Sequence, residues 1–384
     1  MSGSNCVLIP AFGGFPSFDC NRGVVGFGRV MHQDGPVSQT MKPSHSPHSV
    51  VPLTPHPDKL YVVTCVNNYN RYRTRYRLYR SFKDHVDASG AVLHTIECQL
   101  GSRPFEVTSP DDPTHIQVRT TSELWHKENL MNLAAARLPA EARYIAFVDA
   151  DFTFIRPDWA QETIQQLQHF QVVQMFSSVG YLGPDESQTG TNRIGFVEAW
   201  SRGIPLRVGN QTIAAGTFFH PHKNTAALPQ YGGDFGPPGG AWAFRRTALD
   251  ALGGLLDFGI LGSSDYFMAL GLVGCMQHRI PHGYSEPFKR KLLAWQDNAE
   301  RVIRRNIGVV PGTMYHHFHG NFKLRHYSTR EQILIRNRFN PDVDLRRNTH
   351  GVYELADDGT PRHCALRDDI RSYFRVRNED SIEP

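Results

Sequence analysis

Short runs of strand length alternate with helix-like stretches between residues 60 and 176, and this alternation constrains the fold more than any other feature of the sequence. Three such runs are Leu60–Val66, Ala91–Glu97 and Tyr144–Val148, and helical periodicity separates them. A short run rich in apolar and β-branched residues is typical of a strand that is buried in a parallel sheet. We therefore predict an α/β, Rossmann-like fold with a mostly parallel central sheet and helices on both faces.

Composition divides the chain into three parts. Residues 1–57 include a stretch dense in Pro, Ser and His without hydrophobic periodicity, so we predict a disordered or loosely packed tail there. The α/β domain is expected at residues 58–345, with a further strand at 241–245. Residues 346–384 are expected to form a short C-terminal extension.

The charge balance and the cysteines limit the class of protein. The chain has 41 Lys and Arg against 37 Asp and Glu, a net charge of +4, which suits a phosphate-bearing ligand but is below that of a dedicated nucleic-acid-binding protein. Its six cysteines have no close spacing, which favours a reducing compartment. No apolar run is long enough to span a bilayer, and no signal peptide is visible. We therefore expect a soluble cytoplasmic protein without a membrane partner, bacterial or viral, in the host cytoplasm if viral.

Two aspartates, Asp149 and Asp151, directly follow the apolar run that ends at Val148. Ligands bind at the carboxyl ends of parallel strands, so this position is suited to a site. Two carboxylates separated by one residue can bind one divalent cation, which also binds diphosphate oxygens. The same spacing recurs at Asp342 and Asp344, but no strand precedes that polar segment, so we predict a solvated turn there.

A carboxylate pair leaves coordination positions open, and a histidine from later in the chain can fill one. His316, His317 and His319 lie within four residues of one another. Because residues two apart on a strand share a face, we predict His317 or His319 as the further metal ligand. The spacing alone does not choose between these two.

Polar side chains near the ends of the first two predicted strands indicate a donor-binding edge. Asn67 and Asn68 end the first, and Glu97 ends the second, where an acid can accept hydrogen bonds from ribose hydroxyls or a base edge. Ordinary turn chemistry is the alternative for each, as a solvated surface position is for Lys127. The residues assigned to this edge are Val66, Asn67, Asn68, Glu97, Lys127 and Ala150.

A second group of residues suggests further contacts, some with the donor and some with the acceptor. Gly239 and Gly240 precede an apolar strand and let the backbone approach a ligand closely, so we assign them to donor binding. Trp242, within that strand, offers a sugar an apolar face, and we assign it with Ser264 to acceptor binding. Asp265 begins a predicted helix, either as an N-cap or as a general base for an acceptor hydroxyl.

Arginine and tyrosine alternate across residues 71–80 of a predicted helix. The pattern favours a solvated basic face with the tyrosines packed inward. The alternative is a surface that faces phosphate or nucleic acid.

Taken together, these motifs resemble the GT-A glycosyltransferases over residues 60–320, and among them the β-1,4-galactosyltransferases and family 2-like enzymes. Lys127–Asn132 is similar to the family's Leu-Leu-Asn-like helix before the Asp-x-Asp strand, and Gly239-Gly240 to its Gly-Gly segment. Residues 262–265 keep the last acid of its Gly-Glu-Asp-Asp-like motif but lack the Glu. Residues 319–330 are also similar to glycosyltransferase-like proteins of bacteriophages.

The resemblance implies that Lys127 contacts the nucleotide and that Asp149 and Asp151 bind Mn²⁺ or Mg²⁺ with His317 or His319. It implies a hexosyltransferase that moves a sugar from a nucleotide-sugar donor, expected to be a UDP-sugar, to a hydroxyl of a glycan, a protein or a modified DNA base. With Asp265 as the base, the expected outcome is inversion at the anomeric carbon; without a base facing the sugar, retention. The alternatives are a nucleotidyltransferase-type phosphoryl enzyme and a non-catalytic carbohydrate- or nucleic-acid-binding module on the same fold.

Overall fold

The structure, a computed structural model, describes residues 58–208, 211–213, 236–327 and 329–382. The predicted tail at residues 1–57 lies outside the described residues. The strands are β1 (Leu60–Val66), β2 (Val92–Leu100), β3 (His115–Thr120), β4 (Tyr144–Val148), β5 (Phe152–Phe154), β6 (Val172–Gln174), β7 (Ser178–Tyr181), β8 (Arg193–Ile194), β9 (Leu206–Val208), β10 (Gln211–Ile213), β11 (Ala241–Arg245), β12 (Ile307–Val309), β13 (Thr313–His316), β14 (Leu345–Arg347) and β15 (Tyr353–Leu355). The helices are α1 (Arg73–Ser89), α2 (Lys127–Ala135), α3 (Trp159–His169), α4 (Phe196–Ser201), α5 (Arg246–Leu252), α6 (Ser264–Leu272), α7 (Glu286–Val302), α8 (Glu331–Arg336) and α9 (Pro361–Val376).

The central sheet has seven strands in the order β12-β6-β11-β4-β1-β2-β3. Strands β4, β1, β2 and β3 run parallel, as do β12 and β6, whereas β11 is antiparallel to both of its neighbours. The predicted α/β class with a mostly parallel sheet is therefore confirmed. Because β11 runs against β4, the residues just before β11 lie beside those just after β4, and the amide of Asp149 donates to the carbonyl of Gly240 at 2.9 Å.

Both faces of this sheet are covered, as its strand sequences require. In β1, Tyr61 and Val63 pack into the hydrophobic cluster that contains α2, α5, α6 and α7. Leu60 and Val62 point to the opposite face and pack with α1 and α3. Alternate residues of a strand point to opposite faces, so burial of both sets explains why β1 reads as an unbroken apolar run.

A second sheet, in the order β5-β13-β7-β8, stands beside the end of β4. β5 begins one residue after Asp151, and His316 of β13 is in register with Phe152 of β5. This pairing brings the histidine-containing segment next to the aspartates that follow β4. The sheet therefore joins two distant parts of the sequence at one edge of the central sheet.

Residues assigned above to a C-terminal extension pack into the main core. Leu366, Ile370 and Phe374 of α9 belong to the same hydrophobic cluster as α2 and α6. Beyond α9, the carboxylate of Asp380 accepts hydrogen bonds from the first backbone amides of α1, those of Arg73 (3.0 Å) and Thr74 (2.8 Å). The chain after α9 thus caps the helix that follows β1.

The two aspartates of the second Asp-x-Asp pair lie in different environments. Asp344 is fully buried, and its carboxylate accepts hydrogen bonds from Arg362 at 2.6 Å and from His363 at 2.8 Å. Asp342 remains at the surface, where it pairs with Arg290 and Lys291. The solvated-turn prediction is therefore wrong for Asp344, because its charge holds the first turn of α9. Within the described residues, no helix combines the length and the apolar character needed to cross a bilayer.

Candidate active site

A cavity of about 660 Å³ opens at the carboxyl ends of β1 and β4, where the sequence predicts a site. The backbone fold explains the place, because parallel strands end there and the loop before β11 meets the loop after β4. Most of the predicted site residues line this cavity: Val66, Asn67, Asn68, Lys127, Asp149, Ala150, Asp151, Gly239, Gly240, Asp265 and His319.

Asp151, His316 and His319 form a buried cluster at the cavity wall, and each offers a ligand atom within 4.8 Å of the others. Nε2 of His319 lies 2.9 Å from Oδ2 of Asp151 and 3.3 Å from Nε2 of His316. Oδ1 of Asp151 and Nδ1 of His319 are buried and have no hydrogen-bond partner among the residues that the structure describes. A buried unsatisfied carboxylate oxygen is unfavourable. A bound cation would remove that cost for Asp151, so the three residues fit a metal site.

His317 lies outside this cluster. β13 ends at His316, so His317 and His319 do not share a strand face. The Nε2 atom of His317 pairs instead with the hydroxyl of Thr153 at 2.8 Å, and its backbone amide donates to the carbonyl of Asp151. Of the two predicted histidines, the structure brings the imidazole of His319, but not that of His317, to the carboxylate of Asp151, and it adds His316 beside it.

The protonation states of the cluster suit a metal ion. Burial opposes ionisation of Asp151, yet His319, His316 and Arg75 hold its pKa well below the usual value. Burial lowers the pKa of His316 well below that of a free imidazole. At neutral pH the cluster therefore presents a carboxylate to a neutral imidazole, the forms in which both groups bind cations.

Asp149 is directed to Lys127 rather than to the histidines, with Nζ 2.8 Å from its Oδ2. Burial raises the pKa of Asp149, and Lys127 opposes the rise. Burial alone would lower the pKa of Lys127, but Asp149 and Glu128 raise it above its usual value. The pair is thus an ammonium and a carboxylate on the cavity wall, beside the cluster.

Asp265 lies in the first turn of α6 and faces the loop before β11. Its Oδ1 accepts from the amide of Tyr266 at 2.8 Å. Its Oδ2 approaches Gly239 so closely that a Cβ atom at that position would overlap the carboxylate. Glycine at 239 is therefore what allows the β11 loop and the acid to share one wall, and Gly240 beside it has a φ of +102°.

Two residues assigned to the acceptor lie away from the cavity. Trp242 is buried in β11, packs into the core and donates its indole N–H to the carbonyl of Pro238 at 2.7 Å. The strand alternation turns Trp242 to the face of the sheet that α2, α5, α6 and α7 cover. Ser264 is also buried, and its neighbour Ser263 lines the cavity instead.

Glu97 is also placed away from the cavity, because β2 continues to Leu100 and does not end at Glu97. Its buried carboxylate accepts from the backbone amides of Glu106, Val107 and Thr108 at 2.7, 3.1 and 3.0 Å. These bonds fix the loop after β2. Asn68, in contrast, lines the cavity while its Oδ1 accepts from the amide of Tyr72 at 2.9 Å, just before α1.

Several cavity residues were not predicted from the sequence. Arg75 of α1 pairs with Asp151 at 3.3 Å and with Glu379, which follows α9. The alternation at residues 71–80 marks this helix, but not which arginine turns inward. Trp125 and Glu128 flank Lys127 and line the cavity, and only their proximity to that motif could have indicated them. Glu379 carried no signal in the sequence.

The fold and the site define an α/β protein with a candidate metal centre at the carboxyl edge of its sheet. No protein-family profile and no curated protein matches the chain. Its similarity is to solved structures. One is the Drosophila β1,4-galactosyltransferase 7 catalytic domain with xylobiose, 12% identical, covering 55% of this chain and 59% of that one at a TM-score of 0.26. Another is S. aureus TarS 1-349, 9% identical, covering 55% and 54% at a TM-score of 0.31.

A third is a point mutant of the Drosophila β1,4-galactosyltransferase 7 in complex with manganese, UDP-Gal and xylobiose. It is 13% identical, and the match covers 79% of this chain and 98% of that one at a TM-score of 0.35. The chain thus spans little more than half the length of the first two structures, 59% and 54%. At these TM-scores the similarity assigns no activity, so an activity has to rest on the geometry of the site.

Proposed function

We propose that this chain is a metal-dependent glycosyltransferase that moves a sugar from a nucleotide-sugar donor, a UDP-sugar, to an acceptor hydroxyl. The observation that carries the proposal is the convergence of Asp151, His316 and His319 at the wall of a cavity that also contains Lys127 and Asp265. The cavity volume of about 660 Å³ is in the range of small-molecule and cofactor sites.

The ligand set favours Mn²⁺ over Mg²⁺. Mg²⁺ prefers an all-oxygen shell, whereas the softer Mn²⁺ accepts imidazole nitrogen beside carboxylate oxygen more readily. Asp151, His316 and His319 would hold the ion, and Asp149 would remain with Lys127. When bound, the metal neutralises the charge of the departing diphosphate.

Lys127 and Asp265 have separate roles in the proposed reaction. The ammonium of Lys127 offers a fixed positive charge to the phosphates of the donor. Asp265, whose Oδ1 is held by the amide of Tyr266, offers Oδ2 to the proton of the acceptor hydroxyl. The acceptor oxygen then bonds to the anomeric carbon while the bond from that carbon to the phosphate oxygen breaks, which inverts the configuration.

A phosphoryl-transfer enzyme is less well supported by the same residues. Two-metal phosphoryl transfer commonly requires a third acidic ligand next to the first two. In the described part of the chain, the cluster has one carboxylate, that of Asp151, and two imidazoles.

The test combines metal binding with transfer. Protein freed of metal with a chelator is titrated with MnCl₂ by calorimetry, then incubated with UDP-sugars and simple glycan acceptors while released UDP is measured. We expect Mn²⁺-dependent UDP release by the unaltered protein, with both Mn²⁺ binding and release lost in Asp151→Asn.

Asp342→Asn is the matched control, because Asp342 is the exposed acid of the second Asp-x-Asp pair and lies on the surface. It should bind Mn²⁺ and release UDP as the unaltered protein does. Equal Mn²⁺ affinity in Asp151→Asn, or no binding of any UDP-sugar by the unaltered protein, would refute the proposal.

A further inference from the structure

Two arginines that follow the metal-site histidines are buried in the cavity wall, Arg325 and Arg330, with 4% and 7% of their surfaces exposed. Neither has a carboxylate partner among the residues that the structure describes, and Nε of each is buried without a hydrogen-bond acceptor. A buried guanidinium is normally paired, because removing its charge from water is costly. Their charges therefore require an anion that the described residues do not supply.

The other buried or half-buried arginines of the same cavity are paired. Arg279 pairs with Glu331 at 2.6 Å, and Arg377 pairs with Glu379 at 2.8 Å. Arg75 is also bound to Glu379. Among the buried and half-buried arginines of the cavity that the structure describes, only Arg325 and Arg330 thus lack a carboxylate partner.

Arg325 lies on the metal side of the cavity. Its Nη2 lies 3.1 Å from Nε2 of His319, its Nη1 donates to the hydroxyl of Tyr327 at 3.2 Å, and its guanidinium stacks 4.3 Å from the ring of Phe322. A cation held by His319 would repel this guanidinium. Both positive groups can be accommodated when an anion lies against them.

Arg330 lies on the side of Asp265. Its Nη2 donates to the hydroxyl of Ser263, immediately before α6, at 2.7 Å, and its guanidinium stacks 4.8 Å from the ring of Tyr327. Gly262, with a φ of +87°, makes this approach possible, because a Cβ atom there would lie 2.9 Å from Nη1 of Arg330. Tyr327 thus touches both guanidinium groups, one by its hydroxyl and one by its ring.

We propose that Arg325 and Arg330 form a phosphate-binding site in the cavity wall between the metal cluster and Asp265. Guanidinium groups bind phosphate oxygens through paired, charge-assisted N–H donors, and the Nε–H group of each arginine has no acceptor among the described residues. The phosphate is either the diphosphate of the donor or a phosphate group carried by the acceptor. The assignment of the phosphate to these two sources rests on the proposed function. The need for an anion follows from the two buried charges alone.

The test measures binding of inorganic pyrophosphate by calorimetry, without metal, to the full chain and to Arg325→Gln and Arg330→Gln. The loss of one charged hydrogen bond corresponds to roughly a tenfold weakening, which we expect for each variant, with uridine binding unchanged. Arg325→Lys and Arg330→Lys keep the charge and guard against misfolding, and their melting temperatures are measured alongside. Arg80→Gln is the matched control, since Arg80 is exposed on α1.

Two further arms identify the source of the phosphate. Weaker UDP binding in Arg325→Gln assigns the site to the donor diphosphate. Unchanged UDP binding, with weaker binding of inorganic phosphate by Arg330→Gln already saturated with UDP and Mn²⁺, assigns it to an acceptor phosphate. Either result supports the site.

Failure of this inference is distinguishable from failure of the proposed function. Pyrophosphate binding that is equal in the unaltered protein and in folded Gln and Lys variants overturns the phosphate site, even if UDP-sugars are turned over. Pyrophosphate binding that depends on both arginines, in a protein that turns over no UDP-sugar, preserves the site and refutes the transferase.

Discussion

Nε2 of His319 lies 2.9 Å from Oδ2 of Asp151, so side chains of the segment after β13 and of the segment after β4 meet at this pair. The second sheet makes this contact possible, because β5 and β13 pair directly beside the two residues. His316, at the end of β13, is carried to the same place. The candidate metal centre therefore depends on the pairing between β5 and β13 as well as on the Asp-x-Asp motif.

Neighbouring histidines allow a sharp test of this geometry. His316→Ala should weaken Mn²⁺ binding by at least about tenfold, because it removes an imidazole from the cluster. His317→Ala should leave the Mn²⁺ affinity unchanged, since its Nε2 pairs with Thr153. Calorimetric titration of both variants decides the matter, and the reverse order of affinities would contradict the assignment.

Asp265 is expected to act on the acceptor and not on the metal or donor. Asp265→Asn removes the proton acceptor but keeps the shape of the side chain, so kcat should fall about 10²- to 10⁴-fold. Mn²⁺ and UDP affinities should be unchanged, because Asp265 lies outside the ligand cluster. Transfer rates under saturating donor measure the effect. A variant with nearly full activity would exclude Asp265 as the base, and retention would become the expected outcome.

Asp380 stabilises the fold by capping the first turn of α1. Asp380→Ala leaves the amides of Arg73 and Thr74 without their acceptor and should lower the free energy of unfolding by about 1 kcal/mol. Urea denaturation provides the measurement. Asp368→Ala, at an exposed position of α9, is the control and should change stability much less. Equal losses in both variants would show that the capping contact contributes little.

Glu128 should make stability depend on pH. Burial raises the pKa of its carboxyl from 4.5 to about 8, with Lys127 opposing the rise and Asp265 adding to it. The folded state therefore keeps a proton that the unfolded state has lost, so stability falls as pH rises from 4.5 to about 8 and is level above that.

Glu128→Gln carries no titrating proton, so it should be more stable than the unaltered protein at pH 8, by roughly 1–2 kcal/mol. The gain should shrink toward pH 5. Urea denaturation of both proteins at several pH values, with metal removed by a chelator, checks this expectation. Parallel stability profiles for the two proteins would contradict it.

The inner strands of the central sheet were accessible from the sequence because they are buried on both faces, whereas the edge strands β3 and β12 were not predicted. β1, β4 and β11 lie at the predicted residues, and the α/β class follows from their alternation with helices. The second sheet was not accessible, since its strands have two to four residues and pair with distant segments. Periodicity cannot be read from strands of that length.

The prediction of individual site residues depended on where each strand begins and ends, which the sequence defines poorly. His317 and His319 would share a face only if β13 continued past His316. β2 ends at Leu100, so Glu97 would be its last residue only if the strand were three residues shorter. Trp242 shows a different cause, because both faces of β11 are covered and the strand period turns its ring into the core.

Capping residues mark the starts of α7 and α9 in the sequence. α7 begins after Ser285, whose hydroxyl accepts from the amide of Phe288, and α9 begins after Thr360, which caps it in the same way. In both helices a proline occupies the first turn, as is common at helix starts. These caps could have located both helices, but not the contact of Glu379 with Arg75, which depends on tertiary packing.

The bridge formed by Arg75 between Asp151 and Glu379 has a consequence for shortened chains. In a chain that stops at the end of α9, the guanidinium would lose its stronger carboxylate partner and would turn wholly toward Asp151. A side-chain cation and a dissolved metal ion would then compete for one aspartate. Such a protein should bind Mn²⁺ more weakly than the full chain although it retains every proposed ligand.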